Sequence, residues 1–184
     1  MALRVAVVVL MCVFFACDSL SDDEAELAAC EVTSECVLAP SVCCGRCGEL
    51  TLEDVVPIND SAAQVHHMRI CGEDFGCPTI ACLPVPPTVM ATCEAGQCTE
   101  VLLAEHPAFQ CNSDSDCRVR AVSCCECGAR TDPGALVAIS DERAFVELRC
   151  DPDFGCDDCA PSYPPEAVAA CEAGHCVLRD SRMF

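Results

Sequence analysis

The fold is decided by a stretch that occurs twice: residues 30–48 read CEVTSECVLAPSVCCGRCG, and residues 111–128 read CNSDSDCRVRAVSCCECG. Each stretch begins with C-x5-C, continues over six residues to two adjacent cysteines, and ends in Cys-Gly. Downstream, both copies contain Asp-Phe-Gly-Cys and close with Cys-Glu-Ala-Gly-x-Cys. Each copy carries ten cysteines in the same order, and such self-similarity predicts two tandem modules with one fold.

Cysteine makes up 22 of the 184 residues, whereas aromatic residues make up only 4% and Trp is absent. Small modules with so few large side chains bury little apolar surface, so covalent bridges must hold them. This composition is typical of a disulfide scaffold in an oxidising compartment. We expect disulfides at the twenty cysteines of the two copies: Cys30, Cys36, Cys43, Cys44, Cys47, Cys71, Cys77, Cys82, Cys93, Cys98, Cys111, Cys117, Cys124, Cys125, Cys127, Cys150, Cys156, Cys159, Cys171 and Cys176.

The adjacent cysteines constrain the pairing in each copy. The Cα atoms of neighbouring residues are about 3.8 Å apart, which is shorter than the usual disulfide range of about 4.4–6.8 Å. Cys43 and Cys44 should therefore bond to different segments, and so should Cys124 and Cys125. The remaining connectivity stays open, because ten cysteines permit about 945 pairings.

The N-terminus has the pattern of a signal peptide. Arg4 precedes an apolar run over residues 5–16, which Asp18 ends. This run is too short for a permanent membrane span and suits the apolar region of a signal peptide. Because residues 13–17, VFFAC, resemble a bacterial lipobox, we predict a lipoprotein-type signal peptide over residues 1–17 and a lipid on Cys17. The alternative is cleavage after Ser21 without a lipid.

The rest of the chain divides by composition and by the repeat. Residues 18–29 are rich in Asp and Glu, and we expect them to form an acidic, solvated tether. Module 1 then spans residues 30–103, residues 104–110 form a linker, and module 2 spans residues 111–184. The predicted class is a small disulfide-rich α+β fold, and each module has short strands, one helix and a C-terminal β-hairpin.

Short apolar stretches at residues 55–58 and 136–139 are typical of strands. Residues 88–103 and 167–178 predict the β-hairpins, because Ala-Gly stands between two strand-like runs in each of them.

One helix is predicted in each long gap between cysteines, over residues 60–70 and 141–149. Asn59 and Ser140 are the expected N-caps. In the second helix, apolar side chains at helical spacing share one side: Ala144, Phe145 and Leu148.

The formal charge of the chain is −20, from 10 Arg and 30 acidic residues, and Lys is absent. Without residues 1–17, nine Arg stand against 30 acidic residues, and the charge becomes −21. Such a surface repels nucleic acid and anionic lipid. We therefore expect no nucleic-acid partner. The candidate partners are an unknown extracellular or envelope protein, for which a cationic surface is favoured, and the membrane, which an N-terminal lipid would contact.

Several motifs could carry chemistry. The C-x-x-C motifs at residues 44–47 and 156–159 could indicate a redox dithiol or half a zinc site, but the other copy does not keep their spacing. Structural disulfides are therefore the better interpretation. His66 and His67 have no counterpart in module 2, so we predict no metal and no cofactor, with calcium at clustered carboxylates as the open alternative.

The repeated Asp-Phe-Gly places one phenylalanine in each copy, at Phe75 and Phe154. We expect both to be small core anchors beside a bridge. The sequence contains no catalytic motif such as Gly-x-Ser-x-Gly, His-Glu-x-x-His or a phosphate loop. This predicts no catalytic residues and a protein that is not an enzyme.

The cysteine order resembles that of small cysteine-rich lipoproteins of myxobacteria and related bacteria. The shared pattern is C-x5-C-x6-C-C-x2-C-G, a helix-length gap ending in Cys, and a closing C-x-A-G-x-C, over residues 30–98 and 111–176, and the second copy has one residue fewer before Cys127. A partial likeness to the core of whey-acidic-protein inhibitors rests on residues 114–117 and the pair Cys124-Cys125. The first resemblance implies export and a disulfide fold, and it assigns no activity.

These features predict an exported, lipid-anchored and non-enzymatic protein that acts as a disulfide-stapled binding or structural module of the bacterial cell envelope, in the outer membrane or the periplasm. Without the lipid, the same protein would be secreted. The alternative function is inhibition of secreted hydrolases by an exposed loop flanked by proline, at residues 83–92 or 160–168. Such a loop, once fixed by disulfides, binds at little entropic cost.

Overall fold

A computed structural model describes residues 22–72, 77, 86–129 and 133–180. The predicted signal peptide, the predicted lipidation site Cys17, the predicted disulfide cysteine Cys82 and Phe75 lie outside these residues. None of the helices in the described ranges has the length and apolar content that a membrane span requires.

Module 1 and the segment before it contain two antiparallel strand pairs and two helices. The elements are α1 (Asp22–Leu27), β1 (Cys36–Pro40), β2 (Val55–Asn59), α2 (Ala63–Cys71), β3 (Val89–Glu94) and β4 (Gln97–Leu102). β1 pairs with β2, and β3 pairs with β4. The Asn59 side chain accepts a hydrogen bond from the backbone N–H of Ser61 and begins a short 3-10 turn that leads into α2. Asn59 is thus the cap that the sequence predicts.

Module 2 repeats this order with one additional strand pair. Its elements are β5 (Arg118–Ala121), β6 (Gly128–Ala129), β7 (Leu136–Ile139), α3 (Glu142–Arg149), β8 (Pro161–Ser162), β9 (Ala167–Glu172) and β10 (His175–Asp180). β5 pairs antiparallel with β7, β9 pairs antiparallel with β10, and the short β6 and β8 are parallel. The predicted disulfide-rich α+β fold is confirmed.

The predicted cap of α3 is wrong by one residue. Asp141 accepts a hydrogen bond from the backbone N–H of Ala144 at 3.0 Å, whereas the Ser140 hydroxyl donates to the Ala108 carbonyl. The carboxylate of Asp141 also adds a negative charge at the positive end of the helix.

Both hairpins turn through Ala-Gly with positive backbone angles. φ is 51° at Ala95 and 82° at Gly96, and it is 49° at Ala173 and 87° at Gly174. Two-residue type I′ turns need positive φ at both central positions, because this conformation matches the twist of the strands. Glycine adopts it without strain, whereas alanine does so at a cost.

All nineteen cysteines among the described residues are disulfide-bonded. The pairs in module 1 are Cys30–Cys93, Cys36–Cys98, Cys43–Cys71 and Cys44–Cys77, and Cys47 is bonded as well. The pairs in module 2 are Cys111–Cys171, Cys117–Cys176, Cys124–Cys150, Cys125–Cys156 and Cys127–Cys159. Adjacent cysteines bond to different segments, as predicted, and the four pairs described in both modules follow the same order.

The two modules share one apolar core, which the linker completes. Phe109 of the linker is 2% exposed, and Ala108 is fully buried. The ring of Phe109 meets that of Phe145 edge to face, with 6.0 Å between centroids. The other members of this core come from both modules: Met90, Leu103, Val137, Ile139 and Leu148. Ala108 and Phe109 of the linker therefore lie inside the contact between the modules, and the modules pack against each other.

Residues 22–29, the C-terminal part of the predicted tether, are folded. Leu27 packs with Ala39 and Ile58 in one core cluster. Ala28 is buried in a second cluster, and its carbonyl accepts a hydrogen bond from the backbone N–H of Cys98. Leu27 and Ala28, near the end of the predicted tether, thus pack against module 1, whereas Glu26 before them is exposed.

Candidate binding site

Residues 151–162, here called the module 2 loop, follow α3 and lie at the surface. Every residue from 152 to 162 is exposed. Three disulfides hold this segment: Cys150 directly before it bonds to Cys124, and the other two bridges are Cys125–Cys156 and Cys127–Cys159. The three partner cysteines stand within residues 124–127, so the loop is fixed at three points on one short segment.

Phe154 is the large apolar side chain of this loop, and it is 55% exposed. Together with Val146 and Pro152, which we group with it as the loop patch, it lines a shallow hollow of about 340 Å³. The hollow is also walled by the bridged cysteines Cys150 and Cys156. The predicted role of Phe154 as a core anchor is wrong, because the core already closes around the linker and α3. Phe154 faces solvent instead.

Carboxylates surround the loop patch. Glu147 and Asp151 line the same hollow, and further carboxylates are exposed along the loop at Asp153, Asp157 and Asp158. The backbone N–H of Ser34 in module 1 donates to Oδ1 of Asp151 at 3.3 Å. Hydrogen bonding from Ser34 lowers the pKa of Asp151, so this carboxylate stays ionised and ties the start of the loop to module 1.

Beneath the loop, Arg120 of β5 is buried, with 1% of its side chain exposed. Its guanidinium donates to the carbonyl oxygens of Ser123 at 3.2 Å and Cys124 at 3.0 Å. The carboxylate of Glu142 neutralises the guanidinium. The Cζ atom of Arg120 also lies 4.3 Å from the ring centroid of Phe145. A charge this deeply buried is tolerated only with such partners. Arg120 thus joins the shared core to the segment that carries the loop's disulfides.

The far end of the loop is held through Tyr163. Its hydroxyl donates to Glu126 and accepts a hydrogen bond from the backbone N–H of Ala121 at 3.2 Å. Burial and the bond to Glu126 raise the pKa of Tyr163 to about 12. Burial also acts to raise the pKa of Glu126, but hydrogen bonds from Arg118 at 3.0 and 3.2 Å and from Tyr163 outweigh it and lower that pKa.

The charged residues below the loop were not predicted from the sequence. The positions in module 1 that correspond to Arg118 and Arg120 hold Val37 and Ala39, so the repeat gives no sign of a charged pair there. A usable signal was present, because two arginines at alternate positions of a strand lie on the same face. In module 1 that face is apolar, so module 2 must hold at least one buried cation and its partners there.

The two C-x-x-C motifs do not form internal disulfides. Cys44 bonds to Cys77, so it is not paired with Cys47, and Cys156 and Cys159 belong to separate bridges. Three groups of described cysteines bring three Sγ atoms within 4.8 Å of one another. Each group contains a disulfide, and a disulfide sulfur is not the thiolate that metals bind. These cysteines act structurally, as predicted.

The adjacent histidines contact different neighbours. Nε2 of His66 lies 2.9 Å from the carbonyl oxygen of Pro40, and Nδ1 of His67 lies 3.5 Å from Sγ of Cys71. The two rings therefore do not converge on one point.

The proline-flanked loops differ in exposure. Of residues 83–92, the first three lie outside the described ranges, and Pro86 and Pro87 are half-buried against a cavity between the modules. In the second loop, residues 160–162 are exposed and continue the module 2 loop. Within the second loop, residues 160–162 therefore belong to the site around Phe154, whereas Pro165 and Val168 are exposed apart from it.

Comparisons with family models, with curated proteins and with solved structures find no match for this chain. Its class is defined by its own geometry: a disulfide-rich α+β protein of two modules with one shared core. The extent of disulfide bonding indicates an oxidising location, such as the cell exterior or the periplasm.

Proposed function

We propose that this protein is an exported, non-enzymatic binding protein whose module 2 loop presents Phe154 to a partner protein. The observation that carries the proposal is the exposure of an aromatic side chain, at 55%, on a loop held by three disulfides. Binding surfaces commonly depend on a few aromatic anchors. A loop that is already ordered also loses little conformational entropy when it binds.

The charge around the loop supports a basic partner. The carboxylates Glu147 and Asp151 line the hollow beside Phe154, and the whole chain has a formal charge of −20. Complementary charge accelerates encounter and selects among partners. The partner that fits is a protein with an apolar pocket set among Arg or Lys side chains.

A role without catalysis is supported by how the reactive groups are used in the described ranges. Their cysteines are all in disulfides, Tyr163 is hydrogen-bonded to Glu126, and Arg120 is matched by Glu142. These groups stabilise the loop's base.

Photocrosslinking in the host that exports the protein tests the proposal. Benzoylphenylalanine at position 154 should give a discrete covalent adduct with one basic protein, identified by mass spectrometry. The matched control is the same substitution at Leu52, which is 42% exposed in module 1 and should give none. The same adducts from both positions, or none from position 154, would refute the proposal.

The isolated partner then allows a quantitative test. Phe154→Ser should weaken binding by roughly 30-fold or more, as expected for an interface hot spot, whereas Leu52→Ser should leave it unchanged. Equal affinities of the two variants would contradict a role of Phe154 as anchor.

A second candidate function, inhibition of a secreted hydrolase, is favoured by the same exposed aromatic side chain on a stapled loop. An inhibitor of this kind fills the apolar pocket of its enzyme with one anchored residue. If the crosslinked partner is a hydrolase, adding the purified protein should suppress its activity, and Phe154→Ser should not. If the activity of the hydrolase is unchanged, the protein binds its partner but does not inhibit it, and this second candidate function is excluded.

We also propose that Cys17 carries a lipid that anchors the protein to the bacterial envelope, on the basis of VFFAC at residues 13–17. Because α1 begins at Asp22, the anchor would lie only a few residues from folded structure. Palmitate labelling of the intact cell should mark the protein, and Cys17→Ser should abolish the label. Labelling that persists in Cys17→Ser, or that is absent from the unchanged protein, would exclude this anchor.

A further inference from the structure

The contact between the modules uses a surface of module 2 that has a counterpart in module 1, and within the described ranges this counterpart forms a groove. We propose that a second copy of this protein binds this counterpart, head to tail, and thereby repeats the contact that joins the two modules within one chain.

The internal contact leaves a partly open cavity of about 190 Å³ between the modules. On the module 2 side it is lined by Phe109, Val137 and the start of β10 at residues 175–178. On the module 1 side it is lined by residues 86–88 and 102–104, here called the module 1 end. The module 1 end thus covers the groove between the linker, β7 and β10.

Module 1 has a groove built from the corresponding elements. It measures about 370 Å³ and is lined by Leu27 and Ala28, by residues 56–58 of β2 and by residues 97–100 of β4. Residues 97–100 contain Cys98, the last cysteine of module 1, and residues 175–178 contain Cys176, the last cysteine of module 2, at the corresponding position. Leu27 and Ala28 precede Cys30, the first cysteine of module 1, by the same distances in sequence by which Ala108 and Phe109 precede Cys111, the first cysteine of module 2. We call this surface the module 1 groove.

Two polar atoms in the module 1 groove point to a missing partner. Oε1 of Gln97 and Oγ1 of Thr99 are buried and make no hydrogen bond within the part of the chain that the structure describes. Both residues line the groove. Buried polar atoms are nearly always hydrogen-bonded, and leaving them unpaired is costly. Because these atoms are inaccessible to water in the single chain, a segment that binds the groove can pair with them only after their side chains turn toward it.

The opposite end of the chain carries the segment that would fill this groove. Pro164 and Pro165 stand at the same distance from their hairpin cysteine as Pro86 and Pro87 of the module 1 end. Val168 is 44% exposed, whereas its counterpart Met90 is 6% exposed because module 2 covers it. We call residues 164–168 the module 2 end. One chain therefore carries both halves of a contact that it already makes internally, and pairing different surfaces joins copies head to tail.

Charge sets the conditions under which this contact forms. Each copy has a formal charge of −20, so copies repel one another at low ionic strength. Salt screens this repulsion, and association should therefore strengthen as salt rises, unlike the binding of a basic partner by the module 2 loop.

Sedimentation velocity on the oxidised protein in its exported form tests the proposal. We expect association that grows with protein concentration and with salt. Val168→Asp blocks the module 2 end and Thr99→Arg blocks the module 1 groove, and each alone should weaken association at least about tenfold. Val42→Asp, at a residue 47% exposed in module 1, is the matched control and should associate as the unchanged protein does.

Mixing the two blocked variants gives the sharpest result. Val168→Asp keeps its groove and Thr99→Arg keeps its module 2 end, so the mixture should form dimers and no larger species. Intact mass and circular dichroism confirm that each variant is oxidised and folded, and Gln97→Lys replaces Thr99→Arg where that variant fails to fold. A protein that stays monomeric at all salt concentrations, or a mixture that forms no dimer, would overturn the proposal.

Discussion

Helices α2 and α3 occupy the same place in their modules but bury different amounts of surface. Each ends at or next to a cysteine that is bonded to the first of the paired cysteines. α3 buries Phe145 and Leu148, whereas no residue of α2 is buried. The shared disulfides fix where each helix lies, and the neighbours decide what it buries. α3 packs against the linker and module 1.

The strands beneath the helices differ in the same sense. β1 carries apolar Val37 and Ala39, whereas β5 carries Arg118 and Arg120 at the corresponding positions. Disulfides hold the vicinal cysteines in both modules, and in module 2 a buried cation also binds the backbone carbonyl of Cys124. Module 2 thus has an additional contact that holds its paired cysteines. Within the described ranges, module 2 is also the module that presents an exposed phenylalanine.

The largest expected effect tests the difference in burial between α2 and α3. Phe145→Ala removes a fully buried ring from the shared core and should lower the free energy of unfolding by about 3–5 kcal/mol. Val65→Ala is the matched change on α2, where the side chain is 41% exposed, and it should stay within about 0.5 kcal/mol. Denaturant unfolding with the disulfides intact measures both, and similar losses would contradict the difference in packing.

The next effect concerns the buried cation. Arg120→Met keeps most of the side-chain volume but leaves the carbonyls of Ser123 and Cys124 without their donor, and should cost about 3 kcal/mol. Arg46→Met in module 1 removes a cation that is 72% exposed and should cost less than about 0.5 kcal/mol. Amide hydrogen exchange should also speed up in residues 151–162 of Arg120→Met, and unchanged exchange there would show that the loop does not depend on Arg120.

Titration of the phenol sharpens the comparison further, because Tyr163 is the only tyrosine of the chain. Its pKa is raised from 10.0 to about 12. The folded state therefore favours the protonated phenol, so this contribution to stability is complete below pH 10 and is lost as the pH rises toward 12. Absorbance of the phenolate should show a midpoint near 12 in the folded protein, and Glu126→Gln should lower it. A midpoint near 10 in the folded protein would contradict the buried contact with Glu126.

The smallest effect should be equal in the two modules. Ala95 and Ala173 occupy the first central position of their turns with φ near 50°, a conformation that asparagine tolerates better than alanine. Ala95→Asn and Ala173→Asn should each stabilise the protein by about 0.5 kcal/mol, as measured by thermal unfolding. Opposite signs would show that the hairpins do not share one turn.

Local signals predicted the fold well. The apolar runs before Asn59 and Ser140 are strands, and the Ala-Gly pairs mark both hairpins, because these features depend on residues near in sequence. The observed N-cap of α3 is Asp141 and not the predicted Ser140, because the Ser140 side chain bonds to the linker. This contact joins residues that are distant in sequence. The burial of Phe109 was missed for the same reason, since the module 1 hairpin and α3 provide its surroundings.

Phe145 and Phe154 of module 2 show what sequence can and cannot predict about the site. Phe145 shares a helix face with Leu148, and this spacing correctly marks a buried side. Phe154 has no periodic neighbours, and only the positions of three bridges decide that it faces solvent. The partners of Arg120 come from two segments, residues 121–126 and residues 142–145, so sequence could predict a buried cation and not its contacts.

The disulfide map of the oxidised protein tests the central claim most directly. Proteolysis without reduction, followed by mass spectrometry, should recover Cys124–Cys150, Cys125–Cys156 and Cys127–Cys159, with the corresponding Cys43–Cys71 and Cys44–Cys77 in module 1. These bonds hold the loop that presents Phe154 and give both modules one pattern. A bond between Cys156 and Cys159, or free thiols at these two positions, would contradict the account.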